Sequence, residues 1–123
     1  MFINLLGNEM AVTFVPHSNK RNKERTWWKD NEIKDLFAEL VMREEVADAL
    51  LYAVKLGEEV VIDSREYKIK FVIKIYSENI DVITILEENM IPKKNSKVLQ
   101  VYEEKVASYI VIDNKKEEGW HLA

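Results

Sequence analysis

Residues 66–76 read EYKIKFVIKIY, and their reading decides the fold. Tyr67, Ile69, Phe71, Ile73 and Ile75 alternate with Lys68, Lys70 and Lys74. A period of two puts apolar side chains on one face of a strand and lysines on the other. The next stretch, NIDVITILEE, repeats the pattern with Ile80, Val82 and Leu86 on one face and Asp81, Ile83, Ile85 and Glu87 on the other. A two-residue turn at Ser77 and Glu78 pairs Ile75 with Ile80, Ile73 with Val82 and Ile69 with Leu86. The same register sets Lys74 against Asp81, Val72 against Ile83 and Lys68 against Glu87. Apolar pairs and opposite charges align together, and a one-residue slip would break both sets.

Outward from this hairpin, residues 58–63 (EEVVID) read as a short strand that turns at Asp63, Ser64 and Arg65. Upstream, Ile33, Leu36, Phe37, Leu40, Val41, Ala47, Leu50, Leu51 and Val54 recur at three- and four-residue spacing. This predicts a helix over 31–56, capped by Asp30 or Asn31, with Gly57 just past its end. The charges Arg43, Glu44 and Glu45 interrupt the stripe, but no Gly or Pro stands there and one helix is expected. Its length would be about 39 Å, enough to overhang a small domain and to suggest a homodimer.

FINLL and EMAVTFV flank Gly7 and Asn8 as an N-terminal hairpin, which Pro16 ends. The segment after Pro16 reads as a loop, as does 91–97. VLQVYE and VASYIVID read as another hairpin, with a helix over 97–109 capped by Ser96 as the competitor. GWHLA reads as a last short strand after NKKEEG. The expected fold is one α+β domain over 1–123: an antiparallel β-sheet of about five to seven strands with one long amphipathic α-helix on one face.

Composition narrows the chemistry. With 123 residues, 47% hydrophobic and 33% charged, the chain has the balance of a soluble globular domain. It has no cysteine, which excludes disulfides, thiolate metal sites and cysteine nucleophiles. MFINLLGNEM lacks the basic start of a signal peptide, and no apolar run approaches the roughly 20 residues of a membrane span. A cytoplasmic setting without membrane contact is expected. His17 and His121 are the only histidines and lie near opposite ends, so no metal site is expected. Three glycines build no P-loop or dinucleotide motif, and no cofactor is expected. The adjacent carboxylate pairs, such as Glu58 and Glu59, point to opposite faces of a strand and form no acid–base dyad. Asp63, Ser64, Arg65 and Glu66 form a polar group, read most simply as a turn.

One segment departs from the rest. Residues 20–29 read KRNKERTWWK. Lys20, Arg21, Lys23, Arg25 and Lys29 against Glu24 give it +4, so in a chain of net −4 the remainder carries −8. Trp and Arg are enriched at binding hot spots. Trp27 and Trp28 are adjacent and cannot both face the core, so one is expected buried and one exposed. The bland reading is a solvated loop with one Trp plugging the core. The functional reading makes Lys20, Arg21, Lys23, Arg25, Trp27, Trp28 and Lys29 a partner-binding surface. With no catalytic motif, the expected function is a small, non-catalytic, stoichiometric binding or inhibitory protein acting on a host protein. The Lys-, Glu-, Ile- and Asn-rich usage of AT-rich genomes associates such a chain with phages or mobile elements, an anti-defence protein being one case. Three alternatives are nucleic-acid binding through 20–29, sequestration of a small nucleotide by a Trp with Arg21 or Arg25, and an enzyme site assembled from His17, Asp63 and Tyr residues.

Overall fold

The structure, a computed structural model, describes residues 1–112. Its elements are β1 (Phe2–Leu5), β2 (Asn8–Phe14), α1 (Pro16–Arg25), α2 (Asp30–Val41), α3 (Glu44–Tyr52), β3 (Glu59–Ser64), β4 (Ile69–Ile75), β5 (Asn79–Glu87), β6 (Lys97–Tyr102) and β7 (Lys105–Ile110). The fold is α+β, with a seven-stranded sheet in the order β1-β2-β5-β4-β3-β6-β7. The strand that opened the reading, β4, is therefore the central one.

The sheet is mixed, where a purely antiparallel one was expected. β2 pairs parallel with β5, and β3 pairs parallel with β6. Parallel neighbours need long crossovers. Here the three helices, β3 and β4 separate β2 from β5, and β4 and β5 separate β3 from β6. Local periodicity carries no record of such distant pairing.

The β4–β5 register follows the reading at first: Ile75 opposes Ile80, Lys74 opposes Asp81, and Ile73 opposes Val82. A bulge then intervenes, so Val72 faces Thr84, Phe71 faces Ile85, Lys70 faces Leu86 and Ile69 faces Glu87. Ile83 is the extra residue. One inserted residue swaps the faces beyond it, which buries Ile85 in the main core and turns Leu86 to the opposite side. The expected pairs of Ile69 with Leu86 and Val72 with Ile83 are replaced accordingly. Lys68 leaves the ladder in a turn with φ 57°.

The single helix over 31–56 is two helices. Met42 is still helical, but Arg43 is extended at φ −61° and ψ 136°. No Gly or Pro causes the break; side-chain contacts of Arg43 hold it. Its guanidinium grips both oxygens of Glu39 at 2.6 and 2.7 Å, and reaches Glu66 Oε1 and the Glu103 carbonyl at 2.5 Å each. Glu44 and Glu45 then occupy the first turn of α3, where the helix dipole favours acids. With α2 only about 18 Å long, the overhang that suggested a homodimer is gone.

A third helix stands where a loop was expected. Pro16 takes the first position of α1, where its missing N–H and fixed φ are suited. The buried residues of α1 are Ser18 and Asn22, one turn apart and both polar. An apolar stripe is absent, so hydrophobic periodicity gave no signal.

The main core lies between the sheet and α2–α3. Phe37 from α2 sits at its centre, with its ring 5.0 Å from Phe71 and 5.6 Å from Phe14, both edge-on. Ile69, Phe71, Ile73 and Ile75 are all buried against this layer. The opposite sheet face carries a smaller cluster of Val61, Val72, Val98, Tyr109 and Val111, with Ile83, Leu86 and Ile91 beside it. The N-terminal hairpin turns at Leu6 and Gly7, one residue earlier than read, and both have positive φ (50° and 90°). Residues 97–110 form the hairpin, not the competing helix. The strand read at GWHLA lies outside the described residues. Among the described residues, no helix is long and apolar enough to cross a membrane.

Candidate functional site

The segment 20–29 forms a corner between α1 and α2. β2 pairs with only the first half of β5, and α1 continues beside the second half. Arg25 Nη1 donates to the Ile85 carbonyl at 2.7 Å, satisfying an acceptor on the strand's open edge. Asn22, fully buried, ties the corner together. Its Nδ2 donates to the Trp28 carbonyl at 2.8 Å and to Asp30 Oδ1 at 3.3 Å, while Thr26 Oγ1 donates to Asn22 Oδ1 at 2.5 Å. The Trp28 amide closes the knot by donating to Thr26 Oγ1 at 3.1 Å. Glu32 then accepts from the Lys29 amide at 2.9 Å at the start of α2.

This knot divides the two tryptophans. Trp28 is half-buried, packed on the core and edge-on to Tyr67 with centroids 6.2 Å apart. Trp27 is 91% exposed. The five cations also divide. Arg25 is held by the sheet edge. Arg21 pairs with Glu24 at 2.5 Å, and its hydrogen bond holds the Glu24 carboxyl below its usual range. Lys20, Lys23 and Lys29 are exposed around the corner. Of the sequence-predicted residues, Trp27, Lys20, Lys23 and Lys29 are exposed on this segment, Arg25 and Trp28 serve the scaffold, and Arg21 pairs with Glu24 along α1.

A second place involves Asp63, Ser64 and Arg65, whose polar group was read in the sequence most simply as a turn; its partners Lys70 and Gln100 were not foreseen. On the sheet face away from the helices, Lys70, Asp63 and Gln100 stand side by side on β4, β3 and β6. They are 3%, 6% and 8% exposed. They line a cleft of about 360 Å³ with Ser64, Arg65 and Glu88. Lys70 Nζ donates to the Glu87 carbonyl at 3.4 Å and, more closely, to that of Glu88. Gln100 Nε2 donates to Asp63 Oδ2 at 3.4 Å. Burial pushes the Asp63 carboxyl up and the Lys70 ammonium down, each partly offset by the other's charge. Burial and the negative charge of Asp63 raise the Tyr109 phenol.

Comparison with family models, curated proteins and solved structures found no match.

The enzyme alternative named His17, Asp63 and Tyr residues. His17 lines a neighbouring cleft with Val72, Thr84, Leu86 and Pro92, which shares Ile91 with the Asp63 cleft but is not lined by Asp63. His121 lies outside the described residues. Among the described residues, no three His, Asp or Glu side chains cluster to hold a metal. The lysine strip of β4 is also dispersed: Lys68 leaves the strand, Lys70 is buried, and Lys74 faces Asp81 and Glu59. The signal for the cleft was three polar residues, Asp63, Lys70 and Gln100, within apolar strands. Only the strand order joins them.

Proposed function

We propose that the chain is a non-catalytic binding protein that docks an acidic protein surface through the α1–α2 corner. Trp27 is the anchor, and Lys20, Lys23 and Lys29 steer and fix the partner. The observation that supports this is Trp27 at 91% exposure on a corner whose backbone is hydrogen-bonded in place. A rigid aromatic gives large contact area with little ordering entropy, which is the character of a hot spot. Surrounding lysines raise association rate and select an acidic partner. The composition suits a stoichiometric accessory or inhibitor carried by a phage or mobile element.

The other two binding readings fit less well. Arg25 is held by the sheet edge and Arg21 is paired with Glu24 along α1, which leaves a narrow phosphate footprint on an acidic chain. A nucleotide pocket that needs Arg21 or Arg25 meets the same obstacle.

Trp27→Ala, and separately a triple change of Lys20, Lys23 and Lys29 to Glu, should each leave unfolding free energy within about 0.5 kcal/mol of wild type. Each should also release the partner that the wild-type chain captures from its native cells. Trp27→Ala alone should weaken binding by about 2 kcal/mol or more. A partner retained by both variants, or salt-sensitive retention of DNA or RNA in its place, would reject the reading.

A further inference from the structure

The cleft on the other sheet face has the features of a built site. Asp63 is 6% exposed, yet among the described residues its carboxylate accepts one long hydrogen bond, from Gln100 at 3.4 Å. Lys70 stands directly across from it in register, but the two form no ion pair. The ammonium of Lys70 turns instead to the Glu87 and Glu88 carbonyls, and so fastens the end of β5 that borders the cleft. A buried carboxylate so thinly partnered is a group that folding alone disfavours. It makes sense where a ligand supplies the missing donor.

The lining says what the ligand brings. Gln100 donates its amide to Asp63, so its side-chain carbonyl is left as an acceptor beside the carboxylate. Arg65 and Glu88, both exposed, stand at the rim. Asp63 and Glu88 balance Lys70 and Arg65, so the cleft is neutral in sum and does not favour a simple anion or a polycation. Among the described residues no aromatic ring lines it, and the apolar contact is Ile91, so there is no platform on which a nucleobase stacks. A volume near 360 Å³ suits a small metabolite.

We infer that this cleft binds a zwitterion of the α-amino-acid type. Its ammonium sits on Asp63 and the Gln100 carbonyl, and its carboxylate meets Arg65 at the rim. Lys70 touches neither group; it positions the bordering turn through the Glu87 and Glu88 carbonyls. The site is independent of the Trp27 corner.

The test is calorimetric titration of the full chain with each of the twenty L-α-amino acids, with guanosine monophosphate and spermidine as comparators. At least one amino acid should bind, and both comparators should not. For the best ligand, the matching amine without the carboxylate and the matching acid without the ammonium should each fail. Asp63→Asn and Arg65→Ser should each weaken binding roughly tenfold or more, the effect of losing one charge-assisted hydrogen bond. Arg65 is exposed, so its variant reports on the site even if Asp63→Asn perturbs folding. Trp27→Ala should bind as wild type does, which separates this site from the docking corner. Absence of binding by every amino acid at millimolar concentration, full binding by both cleft variants, or binding of the nucleotide in their place would overturn the inference.

Discussion

Phe71→Ala should lower stability by about 3–5 kcal/mol, enough to leave much of a domain this size unfolded at room temperature. Phe71 is fully buried on the central strand and packs edge-on against Phe37, which in turn meets Phe14 from β2. Truncation therefore empties the point where β2, β4 and α2 meet, and none of the three can move in without breaking its own ladder or helix. Val72→Ala, next along the strand but on the thinner second face, should lose only about 1–2 kcal/mol. Urea unfolding followed by circular dichroism measures both. Equal losses at the two positions would mean that the helices do not make the dominant layer.

Arg43→Ala should lower stability by about 2 kcal/mol, the range for hydrogen bonds to charged groups after solvent exposure of Glu39 and Glu66 is discounted. Arg43 joins four places: α2 through Glu39, the break before α3, the β3–β4 turn through Glu66, and the β6–β7 turn through the Glu103 carbonyl. Tyr67 also donates to Glu39, at 3.1 Å. Arg43→Lys should recover little, because a single ammonium cannot reproduce the two-pronged grip on Glu39. The pH dependence follows from Glu39, whose pKa lies below the ordinary 4.5, chiefly through its hydrogen bond from Arg43. A carboxyl with a lowered folded pKa contributes stability above its unfolded value and loses it as pH falls through the folded one. Wild type should therefore lose this increment below about pH 4.5, and Arg43→Ala should not. Melting temperatures of the two proteins should converge as the pH is lowered.

Strands β4 and β5 were legible because each alternates with period two around a clear turn, and β3 because its short apolar run leads into the turn before β4. The helices were legible only where their buried face is apolar. α1 buries Ser18 and Asn22 instead, and the polar stretch that looked like a loop is a helix held by side-chain hydrogen bonds. The charged run Arg43, Glu44 and Glu45 marked an interruption of the stripe, but the contacts that turn it into a break reach Glu66 and Glu103, both distant in sequence. The bulge at Ile83 likewise left a valid alternation on either side of an unseen shift. For the α1–α2 corner, the division of the adjacent tryptophans into one packed and one exposed was readable, and so was the local charge. Which cations stay free was not, because Arg25 is claimed by a carbonyl sixty residues away. The cleft was least legible, since Asp63, Lys70 and Gln100 meet only through strand order.

On the proposed docking, Trp27 is the contact point with an acidic protein. A photo-crosslinking amino acid placed at position 27, and at exposed Tyr52 as a control, can be activated in the native cells. Position 27 should give a discrete protein adduct that the control does not, and the adduct should be lost when Lys20, Lys23 and Lys29 are changed to Glu. Adducts shared by both positions, or crosslinks from position 27 to nucleic acid alone, would contradict it.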